Sequence, residues 1–515
     1  MEQIVEGIQK LDTIVHKRMK KRTVLIALIL LFVVVLGVRL YFAFQTPFFS
    51  DSQSYFHLRQ IEHIAQTGFP LFDDPLSYGG RRYVFMPFFH YLMASASLIF
   101  PLAWVAKILP NALASSLIFV VYLCSFEITK RREYALFSAM VSGFIPIYFV
   151  ETFNALDVHT LSIPLSFLLL YLFSQIAKGK KNMIYYFLTT LVIFLITSPS
   201  ILFIILSLII FYFISKLENI KIEQEEVEVT LFSLLLGLWF YFLIFKKAFL
   251  NHGFGVIWQN IPPQLIDVFF RNVTVLDGVY AIGFVPLFAG MYVLYLYIFK
   301  KKNKFLYLII SVLLTTVALL WLKLISFKLG MIYVSILLIL FFGEAYKLFM
   351  DYLDKTKVHH CKILFTTLIL ILFFFTSFVP LTDLAKEKLD TTIANDEVLA
   401  LMFLKENTRE DQKVMAPIEE GHYISYFAGR KNVADLNFLQ IKDASHVIDQ
   451  IDTLFNTRSK IIANEVMADV DAQYVFLSKN SQHVLEIDEL ATDDDTCFPP
   501  LLFYNGVKVY KSRCH

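Results

Sequence analysis

Two acids and one histidine at the edges of apolar runs are the residues best suited to chemistry. Asp157 and His159 stand two residues apart between two long apolar runs, and Asp51 lies shortly after the first such run. Ionisable side chains at a membrane boundary are costly to place without a partner or a function. A divalent metal ion accepts both carboxylate and imidazole, so these residues predict a metal site. The alternative is that Asp157 caps the next helix and His159 is an interfacial histidine.

Two later segments hold further acids. Asp277 directly precedes an apolar run, where it could cap a helix or complete a site. Glu419 and Glu420 precede Gly421 at a predicted strand-to-helix turn, where they could bind a substrate. The alternative for these two glutamates is that they are ordinary acids at a helix start, favoured there by the helix dipole.

Three basic residues are candidates for binding phosphate. Arg59 and Arg81 lie in a long polar loop, and a guanidinium can bind phosphate through two hydrogen bonds. The alternative is that they pair with acids of the same loop. Lys328 stands near the outer boundary of a predicted span, where it could contact phosphate or extend its ammonium group to the interface.

The elements that must position these residues are membrane helices. The 515-residue chain is 57% hydrophobic and 17% charged, whereas soluble domains usually carry about 25% charged residues. Its basic residues form short clusters between apolar runs, which excludes a nucleic-acid-binding stripe. With each cluster on the cytoplasmic side, about eleven runs are long enough to span a bilayer. They lie near 23–44, 107–128, 134–150, 160–176, 183–197, 199–215, 229–247, 279–298, 305–321, 329–348 and 363–380.

This topology predicts a multi-pass protein of the cell membrane with its N-terminus inside and its C-terminus outside. A cytoplasmic segment at 1–22 precedes a transmembrane domain at 23–380. Long outer loops are predicted at 45–83 and 248–278, and residues 381–515 form an extracytoplasmic α/β domain. The acids near Asp51, Asp157 and Asp277 then all lie on the outer side.

The predicted outer domain has strand, helix and turn signals. A helix is expected to start at Asn395, and Asn505-Gly506 is typical of a two-residue β-hairpin turn. Cys497 and Cys514 bracket this hairpin and could form a disulfide in an oxidising compartment, or stay as two thiols. Short strands are predicted at 414–417, 432–436 and 473–478.

Taken together, the motifs resemble the catalytic subunit of archaeal-type oligosaccharyltransferases, within the C-type glycosyltransferase superfamily. The resemblance covers most of the chain and rests on the order and side of the motifs. Residues 55–59 and 74–78 resemble the family's first outer loop, and 157–159 matches its D-x-H motif. Residues 274–277 resemble T-I-x-E with Asp for Glu, and 417–421 stand in the place of W-W-D-Y-G.

The chain departs from that pattern in two places. The position of the family's first-loop Asp falls on Gln53, two residues after Asp51. Both tryptophans of W-W-D-Y-G are absent, and only Glu419, at the Asp position, and Gly421 are kept in kind. The motifs that the family uses for the sugar donor are therefore better matched in this chain than the motif that it uses for the peptide acceptor.

The resemblance implies an enzyme that moves a glycan from a polyprenyl (pyro)phosphate carrier, such as a dolichol-linked donor, to asparagine of a protein sequon. It implies a Mn²⁺ or Mg²⁺ ion held by Asp51, Asp157 and His159, with Asp277 joining from a mobile loop. Asp51, Asp157 and Asp277 would be the catalytic residues. The donor phosphate would be bound by Arg59, Arg81 and Lys328, and the acceptor by Glu419, Glu420 and Gly421.

Three other functions are compatible with a polytopic membrane protein of this kind. An enzyme of the same fold could use a polyprenyl-phosphate monosaccharide donor and a lipid or sugar acceptor, and the altered W-W-D-Y-G region favours it. A transporter would usually place ionisable residues near the middle of its spans, whereas the acids here lie in outer loops. The remaining alternative is an inactive scaffold related to the enzyme.

Overall fold

The computed structural model describes residues 19–270, 274–300, 303–490, 492 and 496–514. The chain is a polytopic, mainly α-helical membrane protein with a C-terminal α/β domain, as predicted. Most of the predicted segment at 1–22 lies outside the described residues, as do residues 271–273 of the predicted loop at 248–278.

Up to Asp390 the chain is mostly helical, and most of these helices are built from the apolar runs. A helix satisfies its own backbone hydrogen bonds, which is what a segment in lipid requires. In order, the helices are α1 (Lys21–Ala43), α2 (Gln53–Thr67), α3 (Phe88–Ser97), α4 (Leu102–Ser115), α5 (Leu117–Thr129), α6 (Arg132–Ser142), α7 (Pro146–Thr152), α8 (His159–Ile176), α9 (Met183–Leu195), α10 (Ile201–Leu217), α11 (Gln224–His252), α12 (Ile266–Phe269), α13 (Val275–Ile282), α14 (Phe284–Lys300), α15 (Lys304–Trp321), α16 (Phe327–Leu340), α17 (Phe342–Leu353), α18 (Lys362–Phe373) and α19 (Val379–Asp390).

Within the described residues, seven helices are long and apolar enough to cross a membrane, or up to nine if two bent pairs each count as one span. The pair α6 and α7 bends by 49°, and the pair α13 and α14 bends by 94°. The predicted spans at 183–197 and 199–215 correspond to α9 and α10, which are shorter apolar helices of 13 and 17 residues. The count of about eleven spans therefore remains a prediction.

The predicted first loop at 45–83 is largely folded. It contains α2 and a small antiparallel pair, β1 (Asp73–Asp74) and β2 (Arg81–Arg82). Arg59 of α2 makes two hydrogen bonds to Asp74, which fix the helix to this pair. The loop is thus a folded segment, held by these hydrogen bonds, that carries Asp51.

The predicted strands of the C-terminal part are confirmed within one to four residues at each end. Its elements are α20 (Asn395–Asn407), β3 (Lys413–Met415), α21 (Gly421–Tyr423), β4 (Lys431–Asn432), α22 (Ala444–Asn456), α23 (Lys460–Asp469), β5 (Tyr474–Leu477), α24 (Lys479–Leu485), β6 (Pro500–Tyr504) and β7 (Val507–Lys511). The strand order is β4-β3-β5-β7-β6, with β4, β3 and β5 parallel and β7 antiparallel to its neighbours. Because α19 crosses residue 381, the domain boundary there stays a prediction.

The hairpin of β6 and β7 turns at the predicted dipeptide. Asn505 and Gly506 both have positive φ, at 47° and 86°, as a primed two-residue turn requires. Cys497 and Cys514 form a disulfide that closes the segment containing the hairpin. Of the two alternatives left open by the sequence, the structure has the disulfide.

Candidate functional site

One serine joins the two acidic motifs. The Ser54 amide and hydroxyl donate to Asp51 Oδ1, over 2.7 and 2.9 Å. The same hydroxyl accepts from the Leu156 amide at 2.8 Å, immediately before Asp157. The structure therefore brings together two acids that lie more than one hundred residues apart in the sequence.

The two carboxylates act on each other electrostatically. Burial raises the pKa of Asp51; the Lys388 ammonium and the Ser54 hydrogen bonds oppose this rise, and the Asp157 charge adds to it. A like charge nearby disfavours the ionised form of Asp51, and a bound cation would relieve the repulsion. Because Asp51 uses Oδ1 for Ser54, its second oxygen can take such a ligand.

Asp157 also serves the start of α8. Its Oδ1 accepts from the His159 amide at 2.9 Å, so the capping alternative describes part of its role. His159 is half-buried, and its Nδ1 lies 3.4 Å from the Ser162 hydroxyl. A capping carboxylate has a second oxygen, so capping and metal binding are compatible for Asp157.

A buried histidine pair next to these acids was missed by the sequence reasoning. His57 Nδ1 lies 2.8 Å from His90 Nε2, and both rings are buried. Burial lowers the pKa of His57 to about 4, although the Asp157 charge opposes this shift. At neutral pH His57 is therefore a neutral imidazole within electrostatic range of Asp157 and His159. Its partner lies 33 residues away, in a segment that carried no acidic or metal-binding motif.

The donor set fits a hard divalent cation in type, because it offers carboxylate oxygens and neutral imidazole. Within the described residues, no three His, Cys, Asp or Glu side chains converge closely enough to hold a metal. The structure therefore brings Asp51 and Asp157 together with a histidine nearby, and shows no third metal ligand among the described residues.

Asp277 lies at the first turn of α13. Its Oδ2 accepts from the Thr274 amide and hydroxyl at 3.0 and 2.8 Å, and its own amide donates to that hydroxyl at 3.2 Å. This reciprocal arrangement is a capping box. Since α13 packs against α7, which leads to Asp157, Asp277 lies on an element adjoining the acidic pair.

The three predicted phosphate ligands all have protein partners. Arg59 binds both oxygens of Asp74 at 2.8 and 2.9 Å, which matches the alternative of pairing within the loop. Arg81 is buried and donates to the carbonyls of Asn437 and Leu439.

The third candidate, Lys328, is the most accessible. It pairs with Glu151 at 2.9 Å, but its side chain is 68% exposed. Lys328 is therefore accessible to a ligand from solvent. The Arg59 and Arg81 side chains are largely buried, so each would first have to leave its protein partners.

Asp435 anchors the first loop to the C-terminal domain. It is fully buried and accepts from the Ser77 hydroxyl at 2.5 Å and the Asn437 amide at 3.0 Å. Burial would raise the pKa of Asp435, but His422 and Arg81 together hold it below its ordinary value. Asp435 is thus an ionised carboxylate that contacts Ser77 and Arg81 of the first loop as well as Asn437 of its own domain.

A cavity of about 240 Å³ lies beside Asp51, between the first loop and the C-terminal domain. Gln53, Glu419 and Glu420 line it together with Asp51, so two of the three predicted acceptor residues face the same space as a predicted metal ligand, and Gly421 does not line it. The remaining lining residues are Ser50, Ser52, Thr391, Ile393, Glu397, Tyr423, Leu436, Phe476, Ser478 and Asn480.

Gly421 contributes to this region through its small size. A Cβ atom at this position would lie 2.0 Å from the Ala434 carbonyl oxygen, so only glycine permits the contact. Because Gly421 has no side chain, α21 packs directly against the backbone of Ala434 and against Asp435. Gly421 therefore positions the two glutamates that precede it.

A buried lysine, also missed by the sequence reasoning, fixes both motif segments. Lys107 of α4 donates to the carbonyls of Ala43, Thr46 and Phe48, at 3.1, 3.3 and 2.7 Å, and to the Asn154 side chain. Asn154 in turn donates to the Ser50 hydroxyl at 2.7 Å. The segments leading to Asp51 and to Asp157 are therefore held by the same ammonium group.

No protein-family model matches the chain, and no curated protein matches it either. Solved structures do match. The oligosaccharyltransferase of Archaeoglobus fulgidus in its apo form is 15% identical, with a TM-score of 0.69, over 96% of this chain and 75% of that one. The archaeal oligosaccharyltransferase AglB from Archaeoglobus fulgidus, in complex with an inhibitory peptide and a dolichol-phosphate, gives 15% identity and a TM-score of 0.68, over 87% of this chain and 69% of that one.

This chain has the oligosaccharyltransferase fold. A second similar structure, ArnT from Cupriavidus metallidurans bound to undecaprenyl phosphate, gives a TM-score of 0.57 at 11% identity. The match covers 96% of this chain and 99% of ArnT. The resemblance drawn from the motifs is therefore confirmed at the level of the fold.

Proposed function

We propose that the protein is a membrane glycosyltransferase that moves a glycan from a polyprenyl (pyro)phosphate carrier to an asparagine side chain. The observation that carries this proposal is the joining of Asp51 and Asp157 through Ser54, beside a cavity. Support comes from two proteins of similar fold: AglB forms a complex with an inhibitory peptide and a dolichol-phosphate, and ArnT binds undecaprenyl phosphate.

In this mechanism the acceptor nitrogen attacks the anomeric carbon, and the bond from that carbon to the carrier phosphate breaks. The phosphate leaves with the bonding electrons, so negative charge grows on it in the transition state. Asp51 lies at the edge of the cavity and orients the acceptor amide, whose proton it can accept as the new bond forms. Asp157 holds the opposite side of the site in the conformation set by the start of α8.

Asp51, Asp157 and His159 would hold a divalent cation, with Asp277 as a further ligand after movement of its segment. Such a cation neutralises charge on a leaving phosphate. An Archaeoglobus fulgidus oligosaccharyltransferase structure in complex with Zn and sulfate supports a divalent metal in this fold. Mn²⁺ and Mg²⁺ suit the oxygen-rich donor set of this chain.

The donor phosphate would be bound on the exposed side of the site. Lys328 is the candidate that a headgroup reaches most directly, because it is largely exposed. Arg59 and Arg81 support the phosphate site indirectly, since their guanidinium groups hold the first loop in place.

A second function keeps the donor chemistry and changes the acceptor to a lipid or a sugar. The loss of both tryptophans in the W-W-D-Y-G region favours it, as does the match to ArnT over nearly the full length of both chains. The two functions differ in what receives the glycan, so an acceptor assay separates them.

The test is transfer from native lipid-linked glycan to a labelled Asn-x-Thr peptide by the purified protein, with Mn²⁺ or Mg²⁺ and with chelator. Metal-dependent glycopeptide supports the proposal. Donor consumption without glycopeptide supports the second function. Absence of donor turnover, when a related active enzyme works on the same preparation, contradicts both.

Asp157→Asn is the decisive variant because an Asn oxygen can still accept from the His159 amide. The helix start is kept while the charge is lost. We expect turnover to fall at least a hundredfold if the charge holds a cation, and to stay within a few-fold if Asp157 only caps α8. Asp73→Asn is the matched control, since the Asp73 side chain is 83% exposed.

A further inference from the structure

The cavity beside Asp51 has an acidic lining that the proposed reaction does not fully use. Four carboxylates line it, from Asp51, Glu397, Glu419 and Glu420, and among its described lining residues none is Lys or Arg. Its volume of about 240 Å³ far exceeds the roughly 15 Å³ that one water molecule needs. The space can therefore accommodate a side chain.

Glu420 distinguishes this lining from an ordinary acidic surface. It is 3% exposed, and its Oε1 accepts from the hydroxyls of Ser478 and Ser481. Its Oε2 has no hydrogen-bond partner within the described part of the chain. A buried polar atom without a partner is costly, so a donor supplied from the cavity would be stabilising.

Two other acids of the lining, Glu397 and Glu419, differ from Glu420 in their hydrogen bonds or their exposure. Glu397 is buried and accepts from the amides of Ala394 and Lys479, at 2.9 and 3.1 Å, so it is already satisfied. Glu419 is exposed. Glu420 is therefore the buried acid of the lining that lacks a donor on one oxygen.

Two lysines that act on lining residues, Lys479 through its amide on Glu397 and Lys388 through its charge on Asp51, do not supply that donor. The Lys479 ammonium binds Asp396 at 3.1 Å, and the Lys388 ammonium donates to the Val150 carbonyl at 2.7 Å. Both cations are therefore held away from Glu420 by other partners.

We propose that this cavity takes an ammonium or guanidinium side chain of the acceptor peptide, close in sequence to the modified asparagine. A cation matches the acidic lining. Burial favours the protonated form of Glu420 while the cavity is empty; a bound cation favours the carboxylate instead, and Oε2 then accepts from its N–H groups. The inference rests on the proposed function for the nature of the acceptor. A sequon hydroxyl can also donate to Glu420 Oε2, as the two serines do to Oε1, but only a cation also compensates the negative charge of the lining.

The test measures binding of fluorescent Asn-x-Thr peptides to the full-length protein in nanodiscs, with Mn²⁺ and without glycan donor. Lysine is placed in turn at each position from two before to three after the asparagine. Each peptide is compared with one that carries acetyl-lysine at the same position, which keeps the stem and removes the charge. We expect lysine to bind about tenfold more tightly than acetyl-lysine at one or two positions.

Glu420→Gln keeps an oxygen for the two serines and replaces Oε2 by an N–H donor. We expect this variant to lose the preference for lysine, whereas Glu410→Gln, at an exposed site outside the cavity, keeps it. Equal binding of lysine and acetyl-lysine at every position on the wild type overturns the inference, whether or not the variant folds.

The two proposals fail in different ways. Donor consumption without a preference for lysine leaves the proposed function in place and contradicts the cavity inference. A preference for lysine without donor consumption supports the cavity inference and contradicts the proposed function.

Discussion

The two acids at the candidate site depend on a residue with no chemical role of its own. Lys107 is a positioning residue, because it binds the backbone before Asp51 and the Asn154 side chain before Asp157. The four acceptors that it contacts among the described residues are neutral. A buried ammonium is costly unless all its hydrogens are bonded, which explains why it holds these segments so specifically.

Lys107→Met should weaken metal binding by about 10- to 100-fold, the usual effect of removing support from a metal ligand. Mn²⁺ titration followed by electron paramagnetic resonance measures this without requiring turnover. Lys107→Arg, which keeps a cationic donor, should recover part of the affinity. Lys304→Met is the control, because Lys304 pairs with the buried Glu226 near the basic loops. Unchanged Mn²⁺ affinity in Lys107→Met contradicts the positioning role.

Glu420 should make stability depend on pH. Burial raises the pKa of Glu420 to about 8, so the folded protein binds this proton more tightly than the unfolded chain does. The resulting stabilisation is complete below about pH 4 and is lost as pH rises towards 8. Thermal unfolding in detergent should therefore show Tm falling from pH 5 to 8, with a shallower fall in Glu420→Gln. The same slope in both proteins contradicts this assignment.

The sequence identifies residues whose significance is local and misses those whose partners are remote. Asp51, Asp157 and Asp277 are visible because acids next to apolar runs are rare. Lys107 is hidden within a run that looks like any other span, since three of its acceptors are backbone carbonyls. Glu420 is visible as an acid, but its unpartnered oxygen depends on strands and helices that meet only in the fold.

At the scale of elements, the first loop and the C-terminal domain form a joint that shapes the cavity. Arg81 lies 4.4 Å from the centre of the Tyr83 ring, 3.9 Å from Asp435 and against two backbone carbonyls. The sequence predicts that Arg81 binds phosphate. In the structure its guanidinium instead contacts the C-terminal domain and holds the loop against it. Strand-length apolar runs and the Asn-Gly turn predicted the sheet, but no local pattern predicted this joint.

Arg81→Met should loosen the joint, because it leaves Asp435 buried with one partner fewer. Removing one member of a buried charged pair typically costs about 3 kcal/mol. Hydrogen exchange followed by mass spectrometry should show faster exchange across residues 76–83. The neighbouring Arg82 is the matched control, since its side chain is 54% exposed and Arg82→Met should leave exchange unchanged. Equal exchange in the two variants contradicts the role of Arg81.

At the scale of the whole molecule, ion pairs connect the described basic loops to one another at one end of the bundle. The acids of the candidate site lie in other loops. Lys178 pairs with Glu127, and Lys181 pairs with Glu225 at 2.7 Å. Because the basic loops predict the cytoplasmic face, Asp51 and the cavity are expected on the outer face. A lipid-linked donor would then have to present its glycan outside.

Labelling with a membrane-impermeant maleimide tests this orientation in intact cells. Cys361→Ser removes the accessible free thiol, since Cys124 is buried and the other two cysteines form a disulfide. On that background, Glu410→Cys in the C-terminal domain should react in intact cells. Lys221→Cys, between α10 and α11, should react only after permeabilisation, because its side chain is 84% exposed on the predicted cytoplasmic face. The reverse pattern would place Asp51 and the cavity in the cytoplasm, where an external acceptor cannot reach them.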